Sequence, residues 1–263
     1  RRQGDLGGAI ASFREAIRLA SPKDKANFYS ILGSALRAKG DHDGAIAAHQ
    51  EAIRLASPDN KAIFYSILGS ALEAKGDHDG AIAAHQQAIG LASPDNKASM
   101  HYNLGIALQA KGDHDKAITS FREAIRLNPN RPHIHHGLGI SLQAKGDLVG
   151  AIEAHREAIK LDPNVADLRF NLGLILVAKG DYDGAITSFR EAIRLNPKFL
   201  LAHECLVSVL RANGDFDGAN TAYQEVRKLD PNAPVTMTDF RIILNGVEFA
   251  ERAVAPPPRE VKR

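Results

Sequence analysis

Eleven histidines are the side chains of this chain best equipped for chemistry, since an imidazole can ligate a metal or carry a proton near neutral pH. Two of them, His133 and His136, stand three residues apart, which places them on one face of a helix. Such a pair opens a metal site, but zinc needs three or four ligands. Asp167 is the one further donor at a suitable place, and no ligand-rich motif joins them. Carboxylates also come in pairs, as at Asp113 and Asp115, an arrangement that general acid–base chemistry uses. The pair recurs along nearly the whole chain, which fits helix starts better than one reactive centre. A glycine-rich phosphate loop with its lysine, a nucleophile elbow and a helical HExxH do not occur in the sequence. The single cysteine, Cys205, has no internal disulfide partner. The residues predict no enzyme, no metal and no cofactor, and His133 and His136 read as ordinary groove residues on a helix face turned away from the partner helix.

The other nine histidines make sense only in the elements that position them. A Gly-Asp step recurs at Gly4, Gly40, Gly76, Gly112, Gly146, Gly180 and Gly214, at intervals of 36, 36, 36, 34, 34 and 34 residues. A fixed period of that length predicts a stack of like units rather than a globular domain built round a pocket. In repeat register His42, His78 and His114 take the slot of Tyr182 and Phe216. His49, His85 and His155 take that of Phe13, Phe121, Phe189 and Tyr223, and His101, His135 and His203 that of Tyr29 and Tyr65. All nine stand in for aromatic packing residues. If they are neutral when folded, burial lowers their pKa, and stability falls as pH drops below the unfolded value of ~6.5.

The 263 residues carry a formal charge of +2, with 24% charged and 44% hydrophobic residues. This mixed-sign balance gives no electrostatic case for nucleic acid as a partner. No apolar run approaches the ~18 residues that span a bilayer, so no membrane partner is predicted.

Within one unit, Ala98 to Asn130, the residues His101, Leu104, Gly105 and Leu108 follow the i, i+3, i+4, i+7 spacing of a helix with one buried stripe. Gly112 closes that helix in a left-handed conformation. Asp113 or Asp115 caps a second helix, whose inner side carries Ala117, Ile118, Phe121, Ala124 and Ile125. Asn128-Pro129-Asn130 stops it. The unit is an antiparallel helix pair, and the fold class is all-α. Small residues recur where the helices must approach, with Gly33, Gly69, Gly105, Gly139 and Gly173 on the first helix facing alanines such as Ala117 and Ala124 on the second. Glycine inside a helix costs ~1 kcal/mol relative to alanine, so five in register predict a contact too close for a side chain.

Tyr102-Asn103-Leu104-Gly105, Ala107-Leu108, Lys111-Gly112-Asp113, Ala117, Phe121, Ala124 and Pro129 resemble the tetratricopeptide repeat (TPR) pattern, and the likeness covers residues 1–233. The resemblance implies a right-handed superhelical solenoid of helix pairs, lined inside by the first helix of each pair. It implies binding of a protein or peptide in the concave groove. Residues 1–20 are expected to be the second helix of a truncated repeat, so that the chain is part of a longer one. Six units follow over 21–233, then a capping helix over 234–254 and a flexible tail over 255–263. The tryptophan common in the family's first helix is replaced by Tyr29, Tyr65, His101, His135, Arg169 and His203. The early units carry two extra residues, as at Ala56-Ser57-Pro58-Asp59-Asn60, read as a longer loop. The stretch Lys25 to Gly40 recurs at Lys61 to Gly76 with changes only at Asn27/Ile63 and Arg37/Glu73. That near identity reads as recent duplication and suggests spacer units.

The stripe Ser99, Tyr102, Ile106 and Gln109 has 3, 4, 3 spacing and forms one helix face. The same slots elsewhere hold Asn27, Ser30, Ser34 and Arg37, then Ile63, Ser66, Ser70 and Glu73. Later units place there His133, His136, Ile140 and Gln143, then Asp167, Phe170, Leu174 and Val177. The early groove is small and polar, the middle more apolar. The expected partner-binding residues are therefore Tyr102, Ile106, Gln109, His133, His136, Ile140, Gln143, Asp167, Phe170, Leu174 and Val177. No lysine occupies the slots with which some family members grip a C-terminal carboxylate. Only Asn103 and Asn171 match the asparagine ladder of a subgroup attached to a sugar transferase. The predicted function is a non-catalytic scaffold that binds a peptide or protein and is monomeric. The alternative is the regulatory or substrate-docking part of a larger enzyme, of bacterial Ser/Thr kinase or glycosyltransferase type. No compartment is legible, the cytoplasm being only slightly favoured.

Overall fold

A computed structural model describes residues 5–232, and the predicted capping helix and tail lie outside them. The chain divides into two compact units, Arg1–Pro163 and Asn164–Arg263. The described residues form thirteen α-helices and no strand. In the first unit these are α1 (Leu6–Leu19), α2 (Pro22–Lys39), α3 (His42–Leu55), α4 (Pro58–Lys75), α5 (His78–Leu91), α6 (Pro94–Lys111), α7 (His114–Leu127), α8 (Pro132–Ala144) and α9 (Leu148–Leu161). In the second they are α10 (Ala166–Lys179), α11 (Tyr182–Leu195), α12 (Leu200–Ala212) and α13 (Phe216–Leu229). Each even-numbered helix packs on the odd-numbered helix that follows it. Inside each unit the odd-numbered helix packs in turn on the next even one. In the first unit α2, α4, α6 and α8 also touch in sequence, forming one layer.

The recurrent Gly-Asp step does two jobs at each hairpin. Its glycine ends the even helix at positive φ, as at Gly40 (89°) and Gly76 (86°), where a Cβ would strain the backbone. The Asp41 N–H then donates back to the Leu36 carbonyl at 2.9 Å, satisfying one of the last orphan acceptors. The Asp41 carboxylate accepts the Gly44 N–H at 2.9 Å and so caps α3. The two acids of each pair thus have different partners, which resolves the choice left open between Asp113 and Asp115. Asp113 caps α7, while Asp115 takes the Lys145 ammonium of the next pair at 2.9 Å. Lys75–Asp43 (2.7 Å) and Lys111–Asp79 (2.6 Å) repeat that bridge. These bridges are solvent-exposed, so salt screens them and they add little to stability.

One expectation is corrected. The two extra residues of the early units do not lengthen a loop. They extend α2, α4 and α6 to 18 residues each, against 13 in α8 and 14 in α10. Ser57-Pro58 acts as a helix start, with proline at the first helical position, where its missing N–H costs nothing.

The core of each pair is a ring seated in a glycine slot. A Cβ built on Gly33 would meet the His49 ring at 2.6 Å, one on Gly69 the His85 ring at 2.5 Å, and one on Gly105 the Phe121 ring at 2.6 Å. Gly139 faces His155 in the same way, and in the second unit Gly173 faces Phe189 at 2.6 Å. The alanines Ala45, Ala81, Ala117, Ala151 and Ala185 are fully buried beside these rings. In the last pair the glycine slot holds Val207, itself buried. Cys205 is buried next to it, and burial, helped by Glu204, pushes its thiol up to about 12, so it is not a reactive thiolate at neutral pH.

Candidate functional site

In the first unit the layer formed by α2, α4, α6 and α8 carries the predicted stripe. On α6 and α8 this stripe is tied to the buried rings through the glycine slots. Tyr102 lies over Phe121, with ring centroids 6.0 Å apart, and His133 meets Tyr102 edge-on at 4.7 Å. Both contacts are favourable ring geometries. Burial, and secondarily the Glu73 carboxylate, raise the pKa of Tyr102, so its hydroxyl stays protonated. Ile106 and Ile140 are half-buried. The Gln109 amide donates to Ser141 Oγ at 3.2 Å, and the Asn103 amide donates to Ser66 Oγ at 2.9 Å, which knits the layer across its helices. Ile31 and Ile63, on α2 and α4, are 45% and 43% exposed, so the early part of this face is less polar than its serines suggested.

His136 does not behave as a surface group turned away from its partner helix. Its Nδ1 lies 3.2 Å from His155 Nε2, and His155 Nδ1 lies 3.0 Å from the Ala151 carbonyl. A carbonyl only accepts, so His155 Nδ1 carries the proton, Nε2 accepts, and His136 Nδ1 donates. Burial, and after it His136, lower the pKa of His155 to about 4; the ring is neutral at neutral pH. Burial with Arg37 as the second cause does the same for His49, to about 4. His133 is also lowered, by burial and then Arg131. His49, His85 and His155 are fully buried packing rings, while His135 and His203 are nearly so. His135 Nε2 donates to the Pro129 carbonyl at 2.8 Å, and His203 Nε2 to that of Pro197 at 3.1 Å.

Three of the predicted groove residues, Gln143, Phe170 and Leu174, are buried. Gln143 is 8% exposed in the first unit and offers little surface. In the second unit Asp167 is exposed and Val177 half-buried. Phe170 and Leu174 are buried at 8% and 4%. Phe170 stacks on Phe189 at 5.7 Å and on Phe199 at 4.8 Å, and Phe199 precedes α12, so the ring is spent on packing within its unit. A shallow, open depression of the first unit lies elsewhere, between α7 and α9. It is floored by His135, Leu138 and Leu142 and rimmed by Arg122, Val149 and Glu153. Among the described residues no group of three or more histidine, cysteine or acidic side chains could hold a metal. No described helix is long and apolar enough to cross a membrane.

Helix pairs keyed by a ring in a glycine slot, and joined through their second helices, define a helical-repeat interaction scaffold. Residues 24–93 and 60–130 match one form of the tetratricopeptide repeat, and residues 102–166 and 136–199 match another. Together these cover more than half of the sequence, and the chain belongs to the tetratricopeptide repeat family, whose repeats serve in general as non-catalytic interaction scaffolds. No curated protein gives a significant match. Among solved structures, MamA is similar at 26% identity and TM-score 0.58, over 62% of this chain and 94% of that one. MamA from Desulfovibrio magneticus RS-1 is similar at 21% identity and TM-score 0.61, over 67% and 99%. YrrB, described as a TPR protein with an unusual peptide-binding site, is similar at 22% identity and TM-score 0.58, over 71% and 94%. At the identities of the last two the likeness shows the fold alone.

Proposed function

We propose that the chain is a scaffold that binds an extended peptide segment, or a protein presenting one, on the α4–α6–α8 face of its first unit. The observation that carries this reading is the half-exposed cluster of Tyr102, Ile106, His133, His136 and Ile140. Tyr102 is held from below by Phe121 and His136 by His155, and all five side chains keep exposed surface. Rigid, partly apolar rings anchored at one edge are the kind of residue that carries binding energy at interfaces. Asn103 and Gln109 supply polar edges for a peptide backbone. On α10 of the second unit, Asp167 and Val177 keep exposed surface for contact, whereas Phe170 and Leu174 act by holding the helix pair together.

A random-peptide library panned on the full chain tests this. Selected peptides should lose at least about tenfold in affinity, or ~1.4 kcal/mol, on Tyr102→Ala and on Ile140→Ser, with the helical circular dichroism spectrum unchanged. Peptides bound equally well by both variants would place the contact elsewhere, the depression between α7 and α9 being the next surface to map.

A further inference from the structure

A backbone carbonyl in the core dictates which way His136 hydrogen-bonds. The Ala151 carbonyl only accepts, so the proton of the neutral His155 ring sits on Nδ1, 3.0 Å from that oxygen. Burial keeps the ring neutral at neutral pH, its pKa being about 4. His155 Nε2 is then a lone pair on a fully buried side chain, and a buried acceptor is costly to leave unmet. The Nδ1 proton of His136, 3.2 Å away, meets it. The two rings stand edge-on, at 85° with centroids 5.1 Å apart. Gly139 makes this possible, because a Cβ there would collide with the His155 ring.

A neutral imidazole carries one proton. With that proton held on Nδ1, Nε2 of His136 is an acceptor. The two nitrogens of the ring point away from each other, so with Nδ1 aimed at the core, Nε2 is aimed outward from it. The side chain keeps exposed surface on the α8 stripe. The alternative tautomer, with its proton on Nε2, would present a donor at the same place.

We propose that His136 is a fixed hydrogen-bond acceptor of the peptide-binding face, taking a backbone N–H of the bound segment, with His155 as the positioning residue that sets its tautomer. The inference rests on the peptide-binding reading above and assigns the polarity of one of its contacts. It also favours an extended segment over a partner helix as the occupant. An extended chain brings backbone N–H groups that still need acceptors, whereas those in a helix interior are already bonded to its own carbonyls.

Two measurements on the full chain test it. At about pH 8, above the ordinary imidazole value of ~6.5, ring-nitrogen NMR shifts separate a protonated nitrogen from a lone pair. In the unaltered chain His136 should carry its proton on Nδ1. In His155→Phe, which installs the ring found at positions 121 and 189, the proton should move to Nε2. For the second measurement, a peptide panned on the full chain is N-methylated at one backbone amide at a time. One methyl should weaken binding about fivefold, the size of one net hydrogen bond. Its penalty should vanish in the double variant His136→Phe/His155→Phe, which has lost the acceptor. That variant reproduces the packed rings Phe170 and Phe189 of the second unit, so the fold is expected to persist, and circular dichroism checks it. A His136 proton on Nε2 in the unaltered chain overturns the inference, as does a scan whose penalties the double variant leaves unchanged. If either happens while Tyr102→Ala still weakens the peptide, the acceptor fails and the peptide-binding face stands. If Tyr102→Ala and Ile140→Ser have no effect either, both fail.

Discussion

At the scale of single residues, the structure turns on how close a ring can come to a helix backbone. Gly69 and Gly90 lie on neighbouring helices of one pair and should respond oppositely to alanine. A Cβ at Gly69 would sit 2.5 Å from the His85 ring, whereas a Cβ at Gly90 meets nothing within 4 Å. Gly69→Ala should therefore cost ~1–3 kcal/mol through overpacking. Gly90→Ala should gain up to ~1 kcal/mol through helix propensity. Urea denaturation of both variants checks the pair, and equal effects would contradict the ring-in-slot packing. The same rings set a pH dependence. His49 and His155 have pKa values of about 4 when folded, against ~6.5 unfolded. Between those values the unfolded chain binds more protons, so stability is full above pH ~6.5 and declines until about pH 4. The lowered carboxylates Asp43 and Asp79 act below that window and do not offset it. The double variant His49→Phe/His155→Phe, which installs the residue found at positions 121 and 189, should narrow the difference in urea midpoint between pH 7 and pH 5. A gap as wide as in the unaltered chain would count against neutral buried rings.

At the scale of elements, the Gly-Asp step is the joint that makes one helix pair from two segments. Removing the cap from α9 by Asp147→Ala should destabilise the chain by ~1 kcal/mol, since the carboxylate accepts the Gly150 N–H at 2.9 Å. A smaller loss is expected from Asp113→Ala, because Lys116 stands where the other pairs of this unit have glycine and its N–H···O distance is 3.3 Å. Equal thermal shifts for the two would show that the glycine plays no part in closing the cap. Most of this level was legible from sequence, because the constraint is local. A residue at positive φ, a capping acid and a buried stripe each recur in a fixed register. What was misread was Ala56-Ser57-Pro58-Asp59-Asn60. Proline followed by two polar residues reads as a turn, yet the same residues suit the first turn of a helix, and the 36-residue period accommodates the added turn.

At the scale of the molecule, stacking leaves one layer of helices free to meet a partner, and there the sequence was a poorer guide. Its stripe identified Tyr102, Ile106, His133 and Ile140, whose side chains keep open surface. It could not separate these from Phe170, because the ring that covers it, Phe199, belongs to the segment before a different helix. It also missed the link from His136 to His155, which passes through a slot that exists only once Gly139 has admitted the ring. The most direct test of the binding face is amide chemical-shift mapping of the full chain with a panned peptide. Shifts concentrated on α4, α6 and α8, at and around Tyr102, Ile106, His133 and Ile140, are expected. Shifts gathered instead on α7 and α9, around Arg122, Val149 and Glu153, with the α6 and α8 stripe unmoved, would contradict it.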